Sequence, residues 1–179
     1  MGIPTLISTA TASGASSVDI TSGIDSTYDE YMFVFTDIHP SEEINAFAFN
    51  ISIDGGSNYN VTKTTTTFLA RHTEDDGTAS LAYYAADDLA QGTGYQDISV
   101  KGVDDASDTS CAGVLHLFSP SGTTYVKHFY STFNSYSENI ETHNGFMAGY
   151  GNTTSAVNAI SFKGTSGTFD GVIQMYGIA

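Results

Sequence analysis

The sequence predicts an all-β protein, an antiparallel β-sandwich of jelly-roll character with about ten strands. Three observations carry that expectation. In Asn45-Ala-Phe-Ala-Phe-Asn-Ile-Ser-Ile53, the residues Phe47, Phe49, Ile51 and Ile53 recur with a period of two, and Ala46, Ala48, Asn50 and Ser52 fill the alternate positions. That is the pattern of a half-buried strand. Weaker copies recur at spacings of about 8–15 residues between Gly, Asn, Asp and Ser clusters, the rhythm of sandwiches and jelly rolls rather than of βαβ units. The chain also contains no heptad, no internal repeat and no linker, so residues 1–179 read as one domain.

The elements follow in order. Residues 4–9 carry Leu6 and Ile7 in a first short strand, and a Ser/Thr/Ala/Gly stretch continues to Ser17. Residues 1–17 therefore read either as an edge strand or as an extended arm that crosses to a neighbour. Val18-Asp19-Ile20 is a second strand. Tyr31-Met-Phe-Val-Phe-Thr-Asp-Ile38 is apolar on both faces, which predicts a central strand covered on two sides. His39-Pro40 ends it, because proline cannot donate to a ladder. The strand at 45–53 runs into Asp54-Gly-Gly-Ser-Asn58, a strong hairpin signal. The return strand at 60–71 contains Thr64 to Thr67, β-branched residues suited to a pleated surface.

After the turn Glu74-Asp-Asp-Gly77, residues 79–86 carry Leu81, Tyr83 and Tyr84. Asp87-Asp88-Leu-Ala90 is the one place where a helical turn is expected. Strands at 95–100, 111–118, 125–133, 146–150, 157–162 and 172–178 complete the pattern. In the third of these, 125–133, Tyr125, Phe129 and Phe133 lie on one side and Val126, His128 and Tyr130 on the other.

Composition narrows the function. Hydrophobic residues make up 40% of the chain against 14% charged, the balance of a folded protein rather than a disordered one. Twenty acidic residues face five basic ones, for a formal net charge of -15. Lys63, Arg71, Lys101, Lys127 and Lys163 are scattered, which argues against nucleic acid and against an anionic membrane as partners. The N-terminus lacks the basic and apolar regions of a signal peptide, and no apolar run approaches the ~20 residues of a membrane span. Cys111 is the only cysteine and sits in an apolar run, where a thiol packs as a small hydrophobe.

No catalytic or cofactor motif is legible. His39, His72, His116, His128 and His143 form no short ligand pair, although His116 and His128 face each other if the intervening hairpin has the right register. Acidic turns at Asp104, Asp105 and Asp108 and at Glu74, Asp75 and Asp76 lack the fixed glycine and terminal glutamate of a calcium loop. There is no GxSxG, no P-loop and no dinucleotide fingerprint. The expectation is a non-enzyme without cofactor. Tyrosines near turns (Tyr59, Tyr83, Tyr84, Tyr95, Tyr136 and Tyr150) suit packing, interfaces or sugar contacts.

The chain resembles the small virion structural proteins of tailed phages from aquatic bacteria. The similar features are Leu6-Ile7 with its Ser/Thr/Ala stretch, Ser26-Thr-Tyr28 with Tyr31-x-Phe33, Ile38-His39-Pro40 and Asp88-Leu-Ala-Gln91. Further along come Leu117-Phe-Ser-Pro-Ser121 with Val126-Lys-His-Phe129, Gly149-Tyr150, Ile160-Ser-Phe162 and Ile173-Gln-Met-Tyr-Gly-Ile178. The resemblance implies a β-sandwich located in the virion and made in the host cytoplasm. It implies a capsid decoration (cement) protein, with a tail or fibre protein that grips host surface glycan as the alternative. A carbohydrate-active enzyme is a third and weaker reading. Partners would be the major capsid protein or tail proteins and the chain itself, as a homotrimer at a three-fold position. Tyr83, Tyr84, Tyr136 and Phe146 are the candidate contact residues.

Overall fold

The structure, a computed structural model, describes residues 2–43, 45–137 and 140–179. Its regular elements are almost entirely strands: β1 (Thr5–Ala15), β2 (Val18–Ile20), β3 (Glu30–Pro40), β4 (Phe47–Ser52), β5 (Lys63–Thr73), β6 (Ala79–Tyr83), β7 (Ala90–Gly92), β8 (Gln96–Asp97), β9 (Cys111–Phe118), β10 (Lys127–Ser137), β11 (Glu141–Gly151), β12 (Ala159–Gly164) and β13 (Phe169–Ile178). They build two antiparallel sheets. The larger has the order β1-β13-β3-β9-β10-β11-β5-β6, with β7 also paired to β5. The smaller has the order β2-β12-β4-β8.

The path of the chain explains the jelly-roll character. It alternates between layers, with β1, β3, β9 and β13 in one sheet and β2, β4, β8 and β12 in the other. Those eight strands form the two facing halves of a jelly roll. The remaining strands, β5–β7 and β10–β11, widen the larger sheet beyond β9.

Between the layers lies one aromatic core. Phe33, Phe35, Phe47, Phe133, Phe162 and Phe169 are all buried. Phe35 packs on Phe162 at 5.0 Å, on Phe133 at 5.1 Å and on Phe47 at 5.5 Å between ring centroids. Tilted and edge-to-face contacts at these distances add to the area term of burial. Each ring comes from an inward position of a period-two strand, which is why alternation in the sequence located them.

The structure refines several expectations. Thirteen strands form among the described residues, more than the ten or so anticipated. The first strand runs to Ala15 and pairs with β13 through most of its length, so the Ser/Thr/Ala stretch is ladder. The helical turn is a single 3-10 turn at Ala85–Asp87, just ahead of the expected 87–90, and Ala90–Gly92 is strand. The turn after β4 is present, held by Asp54, whose Oδ1 accepts the Asn58 amide at 2.9 Å. It is a corner rather than a hairpin, because β4 and β5 enter different sheets. β4 is buried on both faces, not one. Its polar side is covered by neighbouring loops, whose Tyr59 and Thr93 carbonyls accept from Asn50 Nδ2 at 2.6 and 3.0 Å. β3 is central, between β13 and β9, but its outward residues Met32 and Val34 are only half-buried. Among the described residues no second layer covers that side.

Candidate interaction surface

The outer face of the larger sheet is built by the residues that alternate with the core. Ladder register aligns Phe68 of β5 with Phe146 of β11, then Thr132 of β10, Val114 of β9 and Val34 of β3. Tyr83 of β6 stands beside Phe68 on the other side, and Leu81 pairs with Ala70. The next row holds Thr66, Ala148, Tyr130, His116 and Met32. Leu81, Tyr83, Phe68 and Phe146 are 71%, 63%, 43% and 38% exposed. Phe68 and Phe146 stack at 4.9 Å, and Tyr130 stacks on His116 at 4.7 Å.

Carboxylates are nearly missing from the part of this face built by β5, β9, β10, β11 and the first half of β3, although exposed Asp170 stands on β13 and Asp88 accepts from the Tyr83 hydroxyl at the β6 edge. Outward positions of β5, β9, β10, β11 and of β3 from Glu30 to Val34 carry one carboxylate, Glu30. That carboxylate is engaged at 2.5 Å by His116 Nδ1. In a chain of net charge -15, the acids are thus placed elsewhere. Interface cores are depleted of charge and enriched in aromatics.

The four candidate contact residues divide accordingly. Tyr83 and Phe146 flank Phe68 in one row. Tyr136 lies on the same face two strand positions beyond Asn134, opposite Thr142. Tyr84 does not join them. It follows Tyr83, so it turns to the opposite side, where it lines a recess with Leu69, Arg71, Ser80, Ala82 and Lys101. Phe68, Leu81 and Tyr130 share that face and are not among the four expected. Their signal was the outward period of β5, β6 and β10, legible only once the inward set is known. Among the other tyrosines, Tyr95 is tied down, donating to Ser161 Oγ at 2.9 Å beneath the Lys163 ammonium.

At one rim of the face, Phe118, Tyr125, His128 and Thr124 line a shallow depression of about 550 Å³. It continues along Tyr130, Tyr150, Thr64 and Thr66. Flat rings interleaved with hydroxyls and free of Lys, Arg, Asp and Glu suit an uncharged polar ligand.

The ionisable residues elsewhere serve the interior. Glu141, buried on β11, accepts from His143 Nε2 at 2.7 Å, Lys101 Nζ at 3.2 Å and Arg71 Nη1 at 3.4 Å. Burial opposes its ionisation, yet the hydrogen bonds from His143 and Lys101 outweigh burial and hold the carboxyl below its ordinary value. Asp97 is pushed the other way, up to about 6, by burial and the neighbouring charge of Asp87. Cys111 is buried, and burial raises its thiol pKa well above the ordinary value. His116 and His128 are not cross-strand partners, since the register sets Tyr130 opposite His116. Asp104 is buried and its Oδ2 accepts from Ser137 Oγ at 2.9 Å. Among the described residues no group of three or more His, Cys, Asp or Glu is placed to hold a metal. No helix among them is long and apolar enough to cross a membrane.

The chain matches no protein-family model, no curated protein and no solved structure.

Proposed function

We propose that the chain is a structural subunit of a tailed-phage virion, a capsid decoration (cement) protein that docks on its shell through the outer face of the larger sheet. One observation carries this reading: in a strongly acidic chain, the outward positions of β5, β9, β10, β11 and of β3 from Glu30 to Val34 bear exposed aromatic side chains and a single carboxylate, Glu30, engaged by His116. A net charge of this size resists unspecific association. Keeping these positions nearly free of carboxylates lets a chosen partner approach there. The likeness in sequence patterns to small virion proteins supplies the kind of partner. Contacts to the major capsid protein, and between copies arranged as a trimer, would raise the free energy of opening the particle by mass action.

The test is to add the protein to particles that lack it and follow release of the packaged genome on heating. Wild type raises the release temperature. A double substitution Phe68→Ser and Phe146→Ser abolishes both binding and protection while leaving the isolated protein folded. Protection that survives the double substitution contradicts docking through this face.

A second reading is favoured by the rim depression, whose rings and threonine hydroxyls suit a neutral sugar. In that case the chain is a tail-borne module that binds host surface glycan. Substitution of Tyr125 and Tyr130 then reduces adsorption to host cells without changing particle stability.

A further inference from the structure

Lys63 opens β5 with its side chain fully buried. Its Nζ donates to Asn50 Oδ1 at 2.5 Å and to the Val61 carbonyl at 2.9 Å. Among the described residues no carboxylate lies within ion-pair distance of it. A second buried lysine stands close by, because Gly151 of β11 registers with Lys63 on one side and with Lys127 on the other. The Lys127 ammonium is held by the carbonyls of Tyr125 and Thr153, at 2.7 and 3.5 Å. Two buried ammonium groups in one corner without a counter-ion are costly. Burial accordingly lowers the Lys63 pKa to about 8, so free amine is available in neutral to mildly alkaline solution.

Asn50, also fully buried, is held rigidly against this amine. Its Nδ2 donates to the carbonyls of Tyr59 and Thr93, which fixes the carboxamide plane. Its Oδ1 accepts the Ile51 backbone N–H at 2.9 Å. A fixed donor at that oxygen stabilises the negative charge that develops when the carbonyl carbon is attacked. Two reactants locked in contact inside a core have a very high effective concentration.

We infer that Lys63 and Asn50 join in an intramolecular isopeptide bond after the chain folds. The neutral amine of Lys63 attacks Cγ of Asn50, and a new carbon–nitrogen bond forms. The bond from Cγ to Nδ2 breaks, one proton of the attacking nitrogen passes to Nδ2, and the amide nitrogen leaves as ammonia. No oxidant or cofactor enters the balance. The product is neutral, so the uncompensated buried charge disappears with the reaction. It ties β4 of the smaller sheet to β5 of the larger across the corner at 54–62. This inference stands apart from the virion reading and holds or fails without it.

Mass spectrometry of the purified, denatured protein is the test, after incubation at mildly alkaline pH. The expected chain is one ammonia lighter than its sequence, and trypsin leaves the 63–64 bond intact because the lysine is acylated. Fragmentation then places the link between positions 50 and 63. Lys63→Met and Asn50→Ser restore the sequence mass. An unmodified mass with ordinary cleavage after Lys63 overturns the inference, and wild type alone decides this if neither variant folds. Ammonia loss that persists in Lys63→Met also overturns it, and would point to imide formation at Asn144-Gly145.

Discussion

Asp97 shows how a single buried group sets the pH response of this fold. Its carboxyl titrates at about 6 in the folded chain against an ordinary 3.8, because burial and Asp87 disfavour its charge. The folded state therefore holds this proton more tightly than the unfolded state does. Stability falls as pH rises between those two values, and the full penalty is present above the higher one. Asp97→Asn removes it. The variant is expected to be more stable than wild type by up to ~3 kcal/mol at pH ~7.5 and no more stable at pH ~3.5, read from urea unfolding at both. Glu141 works in the opposite sense. Its lowered pKa contributes stability above the ordinary glutamate range, and that contribution is lost as pH falls through the folded value. Within the core, Phe133 touches both Phe35 and Phe47. Phe133→Ala leaves a cavity between the layers and is expected to cost about 3–5 kcal/mol in the same assay.

At the scale of elements, the larger sheet separates packing from contact by alternation alone, and substitutions on its two faces should behave differently. Gly145 of β11 points inward, where a Cβ would overlap the Val100 side chain. Gly145→Ala is expected to destabilise by about 1–3 kcal/mol through overpacking. Its outward neighbour is the reverse case: Phe146→Ser should change stability by no more than ~0.5–1 kcal/mol, since that ring is partly exposed. Calorimetry on the pair checks both. β9 is readable end to end at 111–118 because its apolar residues alternate, whereas β10 and β11 extend beyond the expected 125–133 and 146–150, to Ser137 and back to Glu141, because those ends carry Ser, Asn, Thr and His in place of apolar residues. β4 was readable as a strand but not as doubly buried, since Ala48, Asn50 and Ser52 look like solvent-side residues until loops from 59 and 93 close over them. The corner at 54–58 read as a hairpin because a turn motif specifies a reversal and not the sheet that the next strand joins. Tyr84, just past the end of β6, lines the recess on the side opposite Tyr83, as alternation along an extended chain requires of neighbouring residues.

For the whole molecule, two facing halves of a jelly roll supply a rigid body, and the added strands β5, β6, β10 and β11 supply breadth. Those strands carry Phe68, Leu81, Tyr83, Tyr130 and Phe146, so the extension of the sheet gathers these exposed side chains on one face, while Ile3, Leu6, Ile53 and Tyr125 are exposed outside it. None of this width was legible beforehand, because the order of strands in a sheet depends on pairing between distant segments. The proposed function requires that face to meet a virion partner. The most direct measurement of the proposed role is the number of copies of the chain in purified phage particles made by a host that carries its gene, by quantitative mass spectrometry. Copies in proportion to the capsid's symmetry positions, lost together with heat resistance when Phe68 and Phe146 become serine, is the predicted result. Particles that contain none of the protein would contradict it.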